Sequence, residues 1–494
     1  MSGTARTLHR TQSVCPVCLR RIDAAYVREG ETVVFRKTCP QHGSFAVPVL
    51  RRSDGLPAFE DWQRPKTPSY PARPLTEAAQ GCPFDCGLCP GHAQHTCTAL
   101  LEVTLRCDMA CPVCYAAAGT ADVPPDPDMA TLIRQLDRLR QVSPGCNVQL
   151  SGGEPTSRDD LPDIIRAVRA RGFGLVQVNS NGLRLGREPS WAARLREAGL
   201  DSVYLQWDAP DDAACAPLRG GLPQGESLMS RKAAAVRHCA AAGLGVVLVA
   251  TLMPEANLPR LGDLLRQALR LGPAVRGLHL QPLSRFGRYP GDLLTAPRLS
   301  LFDVLDALCA QAPELVRPEH VHPPGCEHSL CSFSAVYARE TGPDGTPGLR
   351  LLADAASPCC GPSPTPFSSG PLSSRPAVPL EAAEGARRSR QFVAAHWAGA
   401  EPAAAPVVAV DDFSRFLARA GVERRFTLSC MAFQDALDLD VERVRGCCIH
   451  VMRPDGRMIP FCLQNLTAVD GSMLYPDRLL PGSPQVENGG EHAG

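Results

Sequence analysis

The sequence predicts an α/β protein built around a partial (β/α)6 barrel, flanked by two cysteine-rich regions. Three observations support this architecture. Strand-like and helix-like segments alternate through residues 99–290, which is typical of β/α units with parallel strands. Cysteines cluster on both sides of that region. The chain has 494 residues, 44% of them hydrophobic, which is enough for several domains and a real core.

Residues 1–60 are predicted to form a small metal-binding domain. Cys15 and Cys18 stand in "CPVC", and Cys39 and His42 stand in "CPQH". The alternating stretch "TVVFRKT" lies between these pairs and predicts a hairpin. Two ligand pairs joined in this way favour a tetrahedral Cys3His site for zinc or a single iron. A cysteine-rich turn with a surface histidine is the alternative.

Residues 61–98 contain the first of two triplets with the spacing Cys-x3-Cys-x2-Cys. Its thiols are Cys82, Cys86 and Cys89, and Cys97 follows shortly after. Four thiolates saturate an iron–sulfur cluster, so these residues predict an auxiliary [4Fe–4S] centre. Zinc bound by the same four thiols is the alternative.

Residues 99–290 predict the barrel itself. The strands read "ALLEVTL", "NVQLS", "GLVQVNS", "SVYLQW", "LGVVLVATLM" and "RGLHLQPLS". The first helix, "DMATLIRQLDRLRQ", has Asp128 as its N-cap and repeats leucines on one face. In such a barrel the functional residues lie at the carboxyl ends of the strands.

The second triplet stands directly after the first barrel strand, where functional loops belong. Cys107, Cys111 and Cys114 can bind three irons of a cluster and leave the fourth iron open. Downstream, "SGGEP" follows the second strand, "NSNG" the third and "LQWDA" the fourth. A structural zinc site or buried thiols is the alternative interpretation of this triplet.

Residues 291–478 predict a second cysteine-rich domain, with a Pro/Ala-rich linker near 361–410 and a disordered tail at 479–494. Four downstream thiols are candidates for a second auxiliary cluster: Cys326, Cys331, Cys462 and either Cys447 or Cys448. The remaining cysteines are interpreted as small core residues. They are Cys146, Cys215, Cys239, Cys309, Cys359, Cys360, Cys430 and whichever of Cys447 and Cys448 does not bind the cluster.

Charge and hydropathy exclude several classes of protein. The 51 basic and 51 acidic residues balance, so no basic field for nucleic acid or a membrane surface is present. The apolar run at 244–253 is too short to span a bilayer, and the first residues lack the apolar core of a signal peptide. We expect a cytoplasmic protein, in which 22 cysteines serve metal binding more than disulfides.

The second triplet, "SGGEP" and the six β/α units together resemble the radical S-adenosylmethionine (SAM) superfamily, and the resemblance implies a TIM-like radical SAM barrel. It also implies that Cys107, Cys111 and Cys114 ligate the catalytic [4Fe–4S] cluster. The residues implied to line the methionine part of SAM are Gly152, Gly153, Glu154 and Pro155. Candidates for ribose or substrate contacts are Asn179, Asn181, Gln206 and Asp208. One departure is Val113, which stands before the third cysteine where many members have an aromatic residue.

Further motifs resemble one subfamily, the class D radical SAM methyltransferases (pterin methylases) and tetraether lipid synthases. These motifs are "CPVC…CPQHG", "QPLSRFGR", "CEHSLC" and "CIHVMRPDGRMIPFC". The resemblance implies a rubredoxin-like N-terminal site, auxiliary clusters and an electron donor such as ferredoxin or flavodoxin. It also favours Cys447 over Cys448, because Cys447 stands in its C-x-I-H pattern. The expected activity is C–C bond formation by a 5′-deoxyadenosyl radical, most simply the methylation of a small heterocycle such as a pterin.

Several alternatives stay open from the sequence. The second enzymatic hypothesis is the coupling of lipid alkyl chains. Two hypotheses of other classes are a non-enzymatic iron–sulfur electron carrier and a zinc-scaffold binding module. Arg285 and Arg288 are either grips for a substrate phosphate or carboxylate, or surface arginines. His279 and His450 are interpreted as structural histidines.

Overall fold

The computed structural model describes residues 5–51, 56, 58–64, 66–71, 73–120, 123–222, 226–352, 380–399, 425–476 and 478–479. Cys359, Cys360, most of the predicted linker and nearly all of the predicted tail lie outside these residues. Within them the strands form a four-stranded sheet, an eleven-stranded sheet and a two-stranded sheet.

The N-terminal sheet is an antiparallel meander in which each strand pairs with the next. Its strands are β1 (Arg6–Val14), β2 (Arg21–Glu29), β3 (Thr32–Cys39) and β4 (Gly43–Arg51). The predicted ligand pairs occupy the β1–β2 and β3–β4 turns, since Cys15 and Cys18 follow β1 and Cys39 ends β3. The predicted metal domain therefore has the expected hairpin between its ligand pairs.

A six-stranded parallel sheet forms the centre of the molecule, as the sequence predicts. After the short β5 (Lys66–Thr67), its strands are β6 (Thr98–Thr104), β7 (Asn147–Gly152), β8 (Val176–Ser180), β9 (Ser202–Gln206), β10 (Gly245–Leu252) and β11 (Val275–Pro282). Each is parallel to its sequence neighbour. Because helices cover the outer face, these strands are almost continuously buried.

The helices between the strands follow the predicted rhythm. They are α1 (Met129–Val142), α2 (Leu161–Ala170), α3 (Leu183–Arg187), α4 (Pro189–Glu197), α5 (Asp212–Arg219), α6 (Leu228–Ala241) and α7 (Leu261–Arg270). Asp128 caps α1 as predicted, because its side chain accepts a hydrogen bond from the Thr131 amide. Leu132, Leu136 and Leu139 of α1 are fully buried.

The C-terminal region extends the central sheet at both edges. After α8 (Leu301–Gln311), the strands are β12 (Ser332–Thr341), β13 (Pro347–Leu351), β14 (Leu380–Glu381), β15 (Arg425–Met431), β16 (Ile449–Met452) and β17 (Met458–Pro460). Strand β15 pairs in parallel with β11 and β16 in parallel with β6, so both edges of the six-stranded core are covered. Residues 291–478 thus complete the barrel sheet, whereas the sequence suggested a separate domain.

Helix α9 (Ala382–Trp397) lies across the amino ends of the barrel strands, within the range predicted as linker. Arg390 donates to the carbonyl of Thr96, just before β6, and the amide of Gly399 donates to Asp201, just before β9. A Cβ on Gly245, the first residue of β10, would lie 2.3 Å from the Trp397 carbonyl oxygen. The helix therefore closes the end of the barrel opposite the predicted functional loops.

The N-terminal sheet docks on the C-terminal region beside the short helix α10 (Val441–Arg445), which precedes α11 (Phe461–Gln464). Thr11 and Tyr26 each donate to the carboxylate of Asp440, at 2.7 Å. The buried Lys37 ammonium donates to the carbonyl of Ala436 at 2.7 Å. Among all described residues, no helix is both long and apolar enough to cross a membrane.

Candidate active site

The loop that follows β6 carries Cys107, Cys111 and Cys114, and all three line one cavity of about 350 Å³. Their sulfurs are not tightly gathered, because they form no group whose ligand atoms all lie within 4.8 Å of one another. Terminal sulfurs of a cubane cluster lie roughly 6 Å apart, so this open spacing fits a cluster better than one ion. The three thiols are the expected ligand set at the expected strand end.

Two arginines from other segments fix the backbone of this loop. The Arg288 guanidinium donates to the carbonyls of Cys111 (2.6 Å) and Ala118 (3.0 Å), and Cys114 and Arg288 exchange two backbone hydrogen bonds. Arg219 donates to the carbonyl of Val113 at 2.7 Å. Arg288 is thus a support of the cysteine loop, and not a cavity-lining or free surface residue. Arg285 is 2% exposed and so is not a surface arginine; its Nη2 donates to the Pro297 carbonyl, whereas its Nε and Nη1 have no hydrogen-bond partner.

The "GGEP" segment packs directly on the cysteine loop. A Cβ on Gly152, whose φ is +122°, would lie 2.0 Å from the Thr104 carbonyl oxygen, and one on Gly153 would lie 2.2 Å from that of Arg106. Only glycine permits this approach. Backbone hydrogen bonds from Gly153 to Thr104 (2.7 Å) and from Glu154 to Arg106 (2.8 Å) fasten the two loops together. Pro155 opens the short helical turn that follows.

Glu154 is buried at the cavity wall with its carboxylate fixed by donors from two loops. It accepts hydrogen bonds from the Thr156 amide and hydroxyl (3.0 and 2.5 Å), the Ser180 hydroxyl (2.9 Å) and the Asn181 amide (2.6 Å). Burial raises the pKa of this carboxyl above its ordinary value. These contacts hold both oxygens in place and suit the side chain to bind a cation that enters the cavity.

The two predicted asparagines differ in their contacts. Asn181 donates to the Asp108 carboxylate (2.7 Å) and accepts from the Leu183 amide (2.9 Å), so it ties the third strand end to the cysteine loop. Asn179 donates to Ser151 (2.9 Å), but its buried Oδ1 has no hydrogen-bond partner. An unpaired buried acceptor that lines a cavity is a contact point for a ligand donor.

Gln206 and Asp208 also differ. Gln206 lines the cavity and accepts a hydrogen bond from the buried Lys232 ammonium at 3.1 Å. Asp208 is fully buried behind the wall, where Arg219 Nε and Nη2 contact its two oxygens at 2.7 and 2.8 Å. Asp208 therefore orients Arg219, which does line the cavity.

The cavity runs through the barrel from the cysteine loop to its amino end. Its walls carry aromatic side chains, including Tyr204, Phe333, Phe392 and Trp397. Amide side chains also face it, from Gln149, Gln177 and Gln281. Apolar walls with a few convergent polar groups are typical of a site for a small organic ligand.

The first triplet lies outside this cavity. Cys82, Cys86 and Cys89 are all buried, and Cys82 and Cys86 pack in an apolar cluster with Tyr475. The Tyr475 hydroxyl accepts from the Cys86 amide at 3.0 Å and donates to the carbonyl of Pro83 at 2.6 Å or Phe84 at 2.8 Å.

The downstream cysteines are grouped differently from the expectation. Cys97 lies with Cys326 and Cys448, and all three sulfurs are within 4.8 Å of one another. Cys97 immediately precedes β6 and Cys448 immediately precedes β16, and these two strands pair side by side. Cys97 is therefore not the partner of the first triplet, and Cys448 is not merely a core residue. Cys331, Cys447 and Cys462, the other predicted members, line a second cavity of about 30 Å³, whose wall also includes Cys448 and Glu327.

The N-terminal ligands come together as predicted. The ligand atoms of Cys15, Cys18, Cys39 and His42 all lie within 4.8 Å of one another. His42 Nδ1 is 3.6 Å from the Cys15 sulfur and 3.5 Å from the Cys39 sulfur.

Several other assignments from the sequence are confirmed. The predicted core cysteines that are fully buried are Cys146, Cys215, Cys239 and Cys430; Cys309 is half-buried. His450 is a buried histidine that pairs with Thr96 at 3.1 Å and with His92 at 3.2 Å.

Sequence reasoning missed Arg219, Tyr475 and Arg478. Arg478 is a buried partner of Glu102 at the end of β6 and stacks over Tyr115, the residue after the second triplet. No motif marks these residues, because they act through contacts between distant segments.

Comparison with known proteins identifies the same regions. Residues 7–51 match the HMPTM N-terminal zinc ribbon domain, and residues 101–268 match the radical SAM superfamily. The chain is similar to 7,8-dihydro-6-hydroxymethylpterin dimethyltransferase of Methanocaldococcus jannaschii, with 30% identity over 92% of this chain and 93% of that protein. It is 32% identical to GTP 3′,8-cyclase of a Synechococcus species over 29% of this chain and 42% of that protein.

Among solved structures, the chain is similar to Streptococcus suis SuiB bound to S-adenosylmethionine. The match has 14% identity, a TM-score of 0.35, and covers 45% of this chain and 48% of SuiB.

Proposed function

The chain belongs to the radical SAM superfamily, in the family of 7,8-dihydro-6-hydroxymethylpterin dimethyltransferase, and from this premise we propose that the enzyme methylates a small heterocycle such as a pterin by forming a C–C bond at an unactivated carbon. One observation supports this proposal most strongly. The three-cysteine loop and the "GGEP" segment open onto the same enclosed cavity of about 350 Å³, which is of the size used for small organic ligands.

Cys107, Cys111 and Cys114 are the proposed ligands of the catalytic [4Fe–4S] cluster. The carboxylate of Glu154 is proposed to hold the ammonium group of SAM, and the unpaired Oδ1 of Asn179 to accept a hydrogen bond from it or from the substrate. When bound, the cluster and SAM supply a one-electron cleavage that yields a 5′-deoxyadenosyl radical. The role of the chain is to position substrate beside that radical and to exclude water.

The walls of the cavity support a planar, polar substrate. The ring centroids of Tyr204 and Trp397 lie 5.6 Å apart, and the two rings are tilted relative to each other. They offer apolar faces against which a heterocycle can stack. Gln149 and Gln281 offer amide donors and acceptors, which suit the edge of a ring that carries nitrogen and oxygen atoms. Arg219 adds a fixed positive charge near the cysteine loop.

Coupling of lipid alkyl chains is the second candidate, and the depth of the cavity favours it. The cavity continues to the amino end of the barrel, where Phe333, Phe392 and Val393 form an apolar wall. An alkyl chain would fill such a space. The buried Oδ1 of Asn179, which has no partner in the protein, would then meet no donor, which is why we favour the heterocycle.

Auxiliary clusters are proposed at two places. Cys82, Cys86 and Cys89 share the spacing of the catalytic triplet and would hold one [4Fe–4S] cluster. Cys331, Cys447 and Cys462 converge on one small cavity and would hold a second. We propose a cytoplasmic enzyme, in which a reduced ferredoxin or flavodoxin supplies electrons.

The test is anaerobic incubation of the reconstituted full chain with SAM, a chemical reductant, a methylene-folate-type donor of the added carbon and either reduced pterins or archaeal-type lipids. The proposal expects 5′-deoxyadenosine to rise with the pterin, together with a product heavier by one methylene unit. A rise with lipids alone would support the second candidate and contradict the first. No deoxyadenosine under any condition would contradict both.

The variants C111A and C239A form a matched pair for this test. Both replace a buried cysteine of the same hydrophobic cluster, but Cys111 lines the cavity and Cys239 does not. C239A should keep SAM cleavage, and C111A should lose it.

A further inference from the structure

Three thiols from distant segments meet at the amino end of the barrel. Cys97 precedes β6, Cys448 precedes β16, and Cys326 lies between α8 and β12. Each is 3% exposed. We call them the basal thiol group. They face the cavity from the end opposite the three-cysteine loop, so the proposed catalytic chemistry does not use them.

The spacing of the basal thiol group fits a single metal ion. Two thiolates on one tetrahedral ion lie about 3.8 Å apart, because each metal–sulfur bond is about 2.3 Å long. Terminal thiolates of a [4Fe–4S] cluster lie roughly 6 Å apart, because the cluster separates them. The sulfurs of Cys326 and Cys448 are 3.7 Å apart, and all three members lie within 4.8 Å of one another.

The same structure contains a check on this criterion. In the N-terminal zinc ribbon, the sulfur-to-nitrogen distances from Cys15 and Cys39 to His42 are 3.6 and 3.5 Å. A tetrahedral zinc ion with these ligands predicts about 3.6 Å. The catalytic triplet, which the family assigns to a cluster, forms no such close group. The distances between ligand atoms therefore distinguish the single-ion site of the zinc ribbon from the cluster site of the catalytic triplet.

Glu327 lies beside the basal thiol group without being one of its close members. Its Oε2 lies 2.5 Å from the Cys326 sulfur and 3.8 Å from the Cys448 sulfur, and its other oxygen accepts a hydrogen bond from Ser332 at 2.6 Å. The Lys66 ammonium holds the Cys326 and Glu327 carbonyls.

We propose that Cys97, Cys326 and Cys448 bind a single Zn²⁺ or Fe²⁺ ion through their three thiolates. Three thiolates select zinc or iron over harder cations such as magnesium or calcium. A tetrahedral ion held in this way takes its fourth ligand from outside the basal thiol group. The ion joins the first barrel strand, the strand that covers its edge and the loop before β12. This inference does not depend on the substrate of the enzyme.

The test compares C448A with C430A in the full chain, purified anaerobically. Cys430 is also buried and lines the same cavity, but it lies outside the basal thiol group. We expect C448A to lose one zinc or mononuclear iron per chain and to retain the visible absorbance of the iron–sulfur clusters. C430A should lose neither. Loss of about four irons and part of that absorbance in C448A would overturn the proposal, as would an unchanged metal content.

A measurement on the wild-type protein guards against a variant that does not fold. Zinc by elemental analysis plus mononuclear iron by Mössbauer spectroscopy should total two ions per chain, one in the zinc ribbon and one in the basal thiol group. A total of one ion would overturn the proposal.

Discussion

The two Cys-x3-Cys-x2-Cys loops have the same spacing but opposite surroundings. The loop of Cys82, Cys86 and Cys89 is buried in an apolar cluster under Tyr475 and does not reach the barrel cavity. The loop of Cys107, Cys111 and Cys114 lies at the mouth of that cavity, against glycines that leave room for a ligand. Spacing therefore sets which cluster a loop can hold, whereas the packing around the loop decides whether a small molecule can reach it.

The largest expected effect is a difference in SAM cleavage between variants of the two cysteine loops. In C111A, deoxyadenosine formation should fall to background, because an open cluster needs all three thiolates. In C86A it should stay within about tenfold of the wild type, a barrier change of about 1.4 kcal/mol. Anaerobic SAM-cleavage assays check both variants. Equal loss in the two would mean that the first triplet is as necessary for cleavage as the second.

Removal of Arg478 should be the next largest effect and should act on the second loop. Arg478 is 9% exposed and pairs with Glu102, which is 3% exposed, so R478A leaves a buried carboxylate alone. We expect a loss of about 3–5 kcal/mol in the free energy of unfolding. Urea denaturation measures it. R166A is the control, since its pair with Asp163 is exposed and should cost less than about 0.5 kcal/mol.

The corresponding change at the first loop is Y475F. It removes the hydroxyl that accepts from the Cys86 amide and leaves that buried donor unpaired. We expect a loss of about 1–3 kcal/mol in the same urea experiment. Y70F is the matched control, because Tyr70 is 60% exposed. Equal stability of Y475F and Y70F would show that the hydroxyl does not support the loop.

The smallest effect concerns the cavity that only the second loop reaches. Burial lowers the pKa of His279 in its wall to about 3. The folded protein keeps this histidine neutral while the unfolded chain binds a proton below pH 6.5, so acid removes stability. Between pH 6.5 and 5.5 this group should cost about 1 kcal/mol.

The variant H279Q tests this pH dependence. Its free energy of unfolding should fall less steeply over that interval than that of the wild type, as measured by urea denaturation at several pH values. Parallel slopes would contradict the assignment.

The parallel core could be predicted from sequence because each β/α unit is encoded locally, by an apolar strand and an amphipathic helix. The pairing of β15 with β11 and of β16 with β6 could not, since partners so distant in sequence are chosen by the edges of the finished sheet. Helix α9 could not be predicted either, because the Pro/Ala-rich composition of residues 361–410 indicates a linker.

In the candidate site, too, the features encoded within one short segment could be predicted and those formed by distant segments could not. The second triplet and "GGEP" were predicted because their function requires fixed spacing within one loop. Cys97 was assigned to the nearest triplet in sequence, but β6 carries it to Cys326 and Cys448. Arg219 escaped prediction, and Arg288 was predicted for other roles, because both support the loop through its carbonyl oxygens, which leave no pattern in the sequence.

Tyr475 and Arg478, three positions apart, contact the first cysteine loop and the strand that leads into the second, respectively. During synthesis the ribosome makes this short segment long after both loops. In a growing chain both loops are therefore made before Tyr475 and Arg478 can pack on them, and iron and sulfide can be delivered before those contacts form. We expect maturation of the enzyme to finish only when Tyr475 and Arg478 pack over the two loops and enclose the clusters that have been inserted.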